Sequence, residues 1–219
     1  MTGARMNTAV IRSARPDDLA AAYRVCLETG DHGRDARSLY ADDPDALGRI
    51  YVGPYLAFEP AYAIVLEDHA GVCGYALGAL DSHAFYARYE REWRPRLCAQ
   101  FPYPEGDPAL WTPAQRVHAV YHAPEYFVPE PDAAYPSHMH IDLLERAQGQ
   151  GHGRRMMHDV MARLRQNGSP GAHLGVSSRN ARALAFYRRL GFTELARTGT
   201  DADGCVYLGI PLRSWHRRF

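Results

Sequence analysis

The chain has 219 residues, enough for one domain of generous size or one domain carrying a long insertion. Its 25 basic and 25 acidic residues cancel, so the basic excess of a nucleic-acid binder is missing. A 46% hydrophobic and 23% charged composition is that of an ordinary globular protein, with enough apolar residues for its own core.

In chain order, "NTAVIRSA" (7–14) predicts a short strand. The following "RPDDLAAAYRVCLETG" predicts a helix: Pro16, Asp17 and Asp18 open it, Leu19, Ala22, Tyr23 and Cys26 repeat at helical spacing, and Gly30 ends it. A further helix is expected around Ala41 to Ile50. "AYAIVLED-HAG-VCGYALGALD" reads as a β-hairpin whose turn holds His69, Ala70 and Gly71. Residues 82–137 break the pattern and are expected to be an insertion, with a helix over Ala84 to Cys98 and then a loop rich in proline and aromatic residues. "SHMHIDLL" returns to strand, "GRRMMHDVMARLRQNG" predicts a helix, and "AHLGV" a buried strand. "NARALAFYRRLGF" predicts a helix with Asn180 as N-cap and Gly191 as its stop, and "TELART" and "CVYLGIPL" two last strands. This order indicates a mixed α/β sheet.

Chemistry concentrates at "QGQGHGRR", 148–155, between a strand and a helix. Unpaired amides and the positive end of the helix dipole meet there, and glycines let a diphosphate come close to them. The loop is neither a Walker sequence, which ends Gly-Lys-Ser/Thr, nor the G-x-G-x-x-G of dinucleotide binders. Alone it is equally readable as a flexible loop without a ligand.

Gln148, Gly151 and Gly153, however, match the Gln/Arg-x-x-Gly-x-Gly/Ala loop of the GNAT superfamily, the GCN5-related N-acetyltransferases. Asn180, Ala183, Phe186, Tyr187, Gly191 and Phe192 match its second motif, and "IRSARPDDLAAAYRVCLETG" is similar to its first strand and helix. The long insertion, "YPSHMHIDLL" and "GSPGAHLGV" resemble, more narrowly, the acetyltransferase-like domain of O-GlcNAcase and its free-standing bacterial relatives. The resemblance implies one GNAT-like domain over 1–219. Its central sheet is mixed and mostly antiparallel, splayed between the fourth and fifth strands and flanked by helices, with the insertion before the fourth strand. It implies acetyl-CoA as co-substrate and no metal. The diphosphate would rest on the backbone of Gly149, Gln150, Gly151, His152, Gly153 and Arg154. Gln148 belongs to the same loop, Leu143 and Leu144 would pair with the pantetheine amides, and Asn180 would touch the pantetheine arm or the phosphates. One of Arg154, Arg155, Arg182 and Arg188 would meet the 3′-phosphate.

Direct transfer to an amine needs two proton movements. Holding a lysine-like amine neutral at pH 7 costs roughly 4.6 kcal/mol, which a base or a desolvating pocket must offset. Tyr187 matches the family's general acid for the leaving sulfur, although its helical spacing with Ala183, Phe186 and Leu190 also suits a core stripe. His138, His140 and Asp142 alternate with apolar residues and share one strand face. His140 or Asp142 is the candidate base, against the alternative of a solvated strand face without a catalytic role.

His118 and His122 have a zinc-like spacing but no third ligand, and a structural role is expected for both. Tyr121, Tyr126, Phe127 and Tyr135 are candidates to line a substrate pocket or simply to cover the sheet, with residues 123–136 as a lid over the acceptor site. Trp93 and Trp111 are expected to anchor packing. Scattered Cys26, Cys73, Cys98 and Cys205, an opening without a signal-peptide core and the lack of a membrane-length apolar run suggest a cytoplasmic location and no membrane partner. All basic residues are arginine, so the chain offers no lysine for acetylation or Schiff-base chemistry. The expected function is acetyl transfer to an amine of a small molecule or peptide, with a homodimer allowed and no nucleic acid. The alternative is a non-catalytic module that binds acetyl-CoA or recognises a ligand.

Overall fold

The computed structural model describes residues 9–124 and 133–215. Seven strands form one sheet: β1 (Val10–Ser13), β2 (Ala63–Asp68), β3 (Gly71–Ala79), β4 (Ser137–Leu143), β5 (Gly171–Ser177), β6 (Thr193–Thr198) and β7 (Cys205–Pro211). Their order is β1-β2-β3-β4-β5-β7-β6. All neighbours run antiparallel except β4 and β5. That one parallel pair holds only at Ser137 with Ala172 and His138 with His173. Beyond His138 each strand keeps its outer partner, β3 or β7, and the sheet opens between them. The expected splay is therefore present, and it frees the later half of β4 on one edge.

The first expected helix is α1 (Leu19–Leu27), and the second becomes two short helices, α2 (Ala46–Tyr51) and α3 (Gly53–Phe58), with Pro54 in the opening turn of α3. The insertion is more helical than its composition suggests. Asp81 caps α4 (Ser82–Arg88) by accepting from the Ala84 N–H at 2.9 Å. A π-helical turn at Tyr89–Trp93 then leads into α5 (Arg94–Gln100). Pro95 lacks an amide hydrogen, and the wider turn just before it absorbs the missing bond.

Where a loop is expected, α6 (Pro113–His122) forms. Thr112 accepts from the Gln115 N–H while the Gln115 side chain accepts from the Thr112 N–H, a reciprocal cap. Tyr121 is fully buried in a small second core with Tyr89 and Leu97, and its hydroxyl donates to the Ala46 carbonyl at 2.8 Å. It holds the insertion to α2 and does not line the acceptor pocket expected for it. The expected lid, with Tyr126 and Phe127, falls largely in 125–132, outside the described residues.

The long helix after β4, α7 (His152–Gln166), buries Met156, Met157, Val160, Met161 and Leu164 completely against the sheet. The last helix, α8 (Ala181–Leu190), starts where Asn180 Oδ1 accepts from the Ala183 N–H and stops at Gly191, whose φ is 97°. Both of its sequence-predicted ends are present. No helix among the described residues is long and apolar enough to cross a membrane.

Candidate active site

The site grows from β4. Its alternation puts His138, His140 and Asp142 on one face and Met139, Ile141 and Leu143 on the other. On the polar face His138 is buried and His140 and Asp142 are half-buried. Side chains of α3, α4 and β3 cover it.

His138, beside the closed end of the β4–β5 pair, is 6% exposed and fully engaged. Its Nδ1 lies 2.7 Å from Ser82 Oγ and its Nε2 2.8 Å from the Tyr55 hydroxyl, while Tyr86 stacks on the ring. Burial pushes its pKa well below 6.5, so the ring is neutral. His140, two residues on, meets Tyr55 and Tyr75 edge-on. Its Nε2 is buried without a hydrogen-bond partner among the described residues. Burial lowers its pKa, while Asp142 and the Tyr51 backbone pull the other way.

Asp142 sits where the strands have parted. The Tyr75 hydroxyl donates to its Oδ2 at 2.6 Å. Burial raises the carboxyl pKa above its ordinary value, against the lowering effects of His140, Tyr75 and Thr29. Tyr187, 6% exposed, has a phenol held above its ordinary pKa, first by burial and then by the charge of Asp142; the Ile141 amide acts in the opposite sense. A phenol so held stays protonated at neutral pH and can donate.

Asp142 and Tyr187 line one cavity of about 1150 Å³, together with the glycine loop. Gly149 has φ 73° and Gly151, the N-cap of α7, φ 77°, a backbone hand that side chains disfavour. A β-carbon at either would meet nothing within 4 Å, so the space over the loop is open. The first amides of α7 have no helical acceptor and no acidic residue occupies its first turn, which suits an anion. At Gly153 the α7 turn packs closely, with Leu143 and Phe186 3.2 and 3.4 Å from where a β-carbon would be.

The sequence-predicted residues separate in space. Leu143, Gln148, Gly149, Gly151, Gly153, Arg154 and Asn180 line the cavity, as do Asp142 and Tyr187. His140, Leu144, Gln150 and His152 are not among its lining residues. Two backbone groups expected for pantetheine are engaged within the chain: the Leu144 N–H donates to the Cys73 carbonyl at 2.8 Å and the Leu143 carbonyl accepts from Gln148 Nε2 at 2.6 Å. Gln148 Oε1 also accepts from Arg182, so this side chain ties β4 to α8. His152 lies in the loop's interior against Gln150 and Arg155. Thr29 and Tyr75 were not visible as site residues. Only the register of β3 on β4, which pairs Tyr75 with Asp142, reveals the latter.

The remaining candidates have structural partners. His118 faces Asp43 at 2.7 Å, His122 the Phe101 carbonyl at 2.8 Å, and Trp93 donates to the Arg49 carbonyl at 2.8 Å. The Tyr135 carbonyl pairs with His173 Nδ1 at 2.8 Å. Among the described residues no group of three His, Cys, Asp or Glu side chains is placed to hold a metal ion.

Known proteins converge on the same fold. The acetyltransferase (GNAT) family model matches residues 44–192. Protein O-GlcNAcase of Rattus norvegicus is 32% identical over 203 residues, covering 92% of this chain but 22% of that protein. The chain thus spans about a fifth of the curated relative's length. The crystal structure of SsHAT superposes with a TM-score of 0.83 at 38% identity, covering 94% of this chain and 98% of that one. The structure of yncA from Salmonella typhimurium, solved with its cofactor acetyl-CoA, has a TM-score of 0.54 at 17% identity and covers 97% and 98% of the two chains.

Proposed function

We propose, from the premise that this chain belongs to the GNAT family of acetyltransferases, that it moves an acetyl group from acetyl-CoA to an amine of a small molecule or peptide. The observation that carries this reading is a shared cavity: Asp142 and Tyr187 line the same space as Gly149, Gly151 and Arg154. The loop fits acetyl-CoA on this chain's own geometry, with open space over two left-handed glycines and unpaired amides at the start of α7. Gly149 to Arg154 would hold the diphosphate, with Asn180 beside the pantetheine arm. When bound, acetyl-CoA supplies the activated acetyl thioester.

The chain's residues then manage protons. Asp142, whose carboxyl is held above its ordinary pKa, takes a proton from the acceptor ammonium at a carboxylate oxygen. Tyr75 orients that carboxylate. His140 Nε2, buried and without a hydrogen-bond partner among the described residues, is a second proton-holding atom beside it. Tyr187, kept protonated by burial, donates its hydroxyl proton to the departing sulfur. Two proton groups facing one space support direct transfer with both substrates present.

The test is acceptor-dependent release of free thiol from acetyl-CoA across a broad panel of amines and peptides, with mass spectrometry of the acetylated product. Thiol release with a product carrying one added acetyl group is the expected result. Tight coenzyme A binding without turnover on any acceptor would replace this reading with that of a non-catalytic acetyl-CoA-binding module.

A further inference from the structure

The large cavity does not end at Tyr187. On one side of that phenol it is lined by the glycine loop, Asn180 and Ala183, and on the other by His158, Leu190, Gly191, Ile210, Pro211 and Trp215. Along α8 the step from Asn180 to Tyr187 is about 10 Å, and from Tyr187 to Gly191 about 6 Å more. The whole space, about 1150 Å³, exceeds the roughly 300–1,000 Å³ of a pocket that buries a drug-sized ligand. The stretch beyond Tyr187 has apolar walls. Ile210 is buried and Leu190 half-buried. A β-carbon on Gly191 would meet only Ile210, at 3.9 Å, among the described residues, so the space beside it is open. Trp215 closes the far end. Its ring meets His158 edge-on with centroids 5.0 Å apart, and its carbonyl accepts from Arg165 Nη1 at 2.9 Å. Exposed Arg188, Arg189 and Ser214 form the rim, with Arg188 paired to Glu194 at 3.5 Å.

We propose that the stretch between Tyr187 and Trp215 is an acyl-chain subsite, so that the protein takes coenzyme A thioesters with an apolar acyl group several carbons long as well as acetyl. The proposal rests on the acetyl-CoA reading above and extends it to the other end of the donor. A linear donor with its diphosphate on the glycine loop and its sulfur at Tyr187 has one part left to place beyond Tyr187, its acyl chain. The body of the acceptor is the rival occupant, and the sheet argues against it. His138 pairs with His173, their rings 5.9 Å apart on one face, and His173 pairs with Gly209. Asp142 and Gly209 therefore face the same side, and Ile210, one residue on, faces the other, with Ile141 and Leu143. An acceptor must reach Asp142 from its own face, whereas this stretch lies on the opposite one.

The experiment measures calorimetric affinities of acetyl-, hexanoyl- and succinyl-coenzyme A for the wild-type chain, Leu190→Trp and Trp215→Ala, with no acceptor present. A methylene taken out of water tightens binding about fourfold, so the longer chain on a half-open wall should favour hexanoyl- over acetyl-coenzyme A roughly tenfold or more. Leu190→Trp fills the stretch and should bring that ratio to about one, with the acetyl-coenzyme A affinity within about twofold of wild type. If its circular dichroism shows that Leu190→Trp does not fold, Trp215→Ala carries the test: removing the end wall should lower the ratio about threefold or more. Equal affinities in the wild type, or a preference that survives in both variants, overturn the subsite and leave the acetyl-CoA reading intact. Tighter binding of succinyl- than of hexanoyl-coenzyme A overturns the apolar class in favour of a carboxylated chain. Hexylamine is also titrated into the coenzyme A-saturated chain, and binding there that Leu190→Trp abolishes overturns the acyl chain as occupant and gives the stretch to the acceptor. Failure of every thioester to bind the wild type at millimolar concentration defeats the acetyl-CoA reading itself, and the subsite with it.

Discussion

The two ends of β4 carry the same alternation of polar and apolar residues and do different work. At the start, His138 lies in the strand's only rungs to β5 and is closed off by Ser82, Tyr55 and Tyr86. At the end, Asp142 stands where β5 has moved away, with one hydrogen bond from Tyr75 and a large cavity in front of it. His140 lies between, half engaged, with one nitrogen unspent. Strand pairing decides which of three similar positions faces the cavity. The polar group in the paired part is held by side-chain partners, and the one in the unpaired part lines open space.

The largest expected effect comes from removing the Tyr187 hydroxyl, the proton donor of the proposed function, which shares the cavity with the open end of β4. Tyr187→Phe keeps the ring's packing, so the fold and coenzyme A affinity should be retained while kcat for thiol release falls about 10²–10⁴-fold. A loss in affinity with kcat unchanged would make Tyr187 a core residue only. Next, Asp142→Asn should cut kcat about 100-fold and yet raise Tm at pH 7. The sign follows from its raised pKa: folding favours the protonated carboxyl, so its contribution is complete below the ordinary value of 3.8 and is lost as pH rises through the elevated one. Asn is neutral throughout and still accepts from Tyr75. The Tm difference between wild type and Asp142→Asn should therefore shrink at low pH, and a difference independent of pH would contradict the assigned cause.

Gly151→Val should strain the N-cap of α7 by about 1–3 kcal/mol, because φ 77° suits no β-branched residue, and should weaken coenzyme A binding about tenfold or more. Calorimetry and thermal melts separate the two effects. At the closed end the expectation reverses. His138→Ala takes the imidazole partner from the buried Tyr55 hydroxyl, while Ser82 keeps the Pro136 carbonyl, and should cost about 1–3 kcal/mol in urea unfolding. Coenzyme A affinity should stay within about twofold, and a selective loss of turnover in a stable His138→Ala protein would erase the distinction between the two ends.

The features legible in the sequence are those the backbone itself demands. Glycines 149 and 151 adopt left-handed conformations, Asn180 caps α8 and Gly191 ends it, and residue type records each of these requirements directly. Helix α6 is hard to read in the sequence because proline and aromatic residues around it obscure its periodicity, although Thr112, Pro113 and Gln115 spell its start. The ranking of His138, His140 and Asp142 was not legible. It depends on where β5 diverges and on Tyr55, Tyr75 and Tyr86, all of them more than 50 positions earlier in the chain. Alternation shows which residues share a face but not what is laid over it.

A sheet joined across its middle by two rungs behaves mechanically as two plates on a short seam. The plates carry separate ladders, β1 to β4 on one and β5 to β7 on the other, and α7 is the covalent strap between them. Whatever fills the gap acts as a splint, since it touches both plates at once. A ligand that binds only the folded chain stabilises it by about 2.7 kcal/mol at a concentration of 100 Kd. Here that gain should concentrate in hydrogen exchange along the seam-side edges of β4 and β5, leaving the outer strands β1 and β6 nearly as they were.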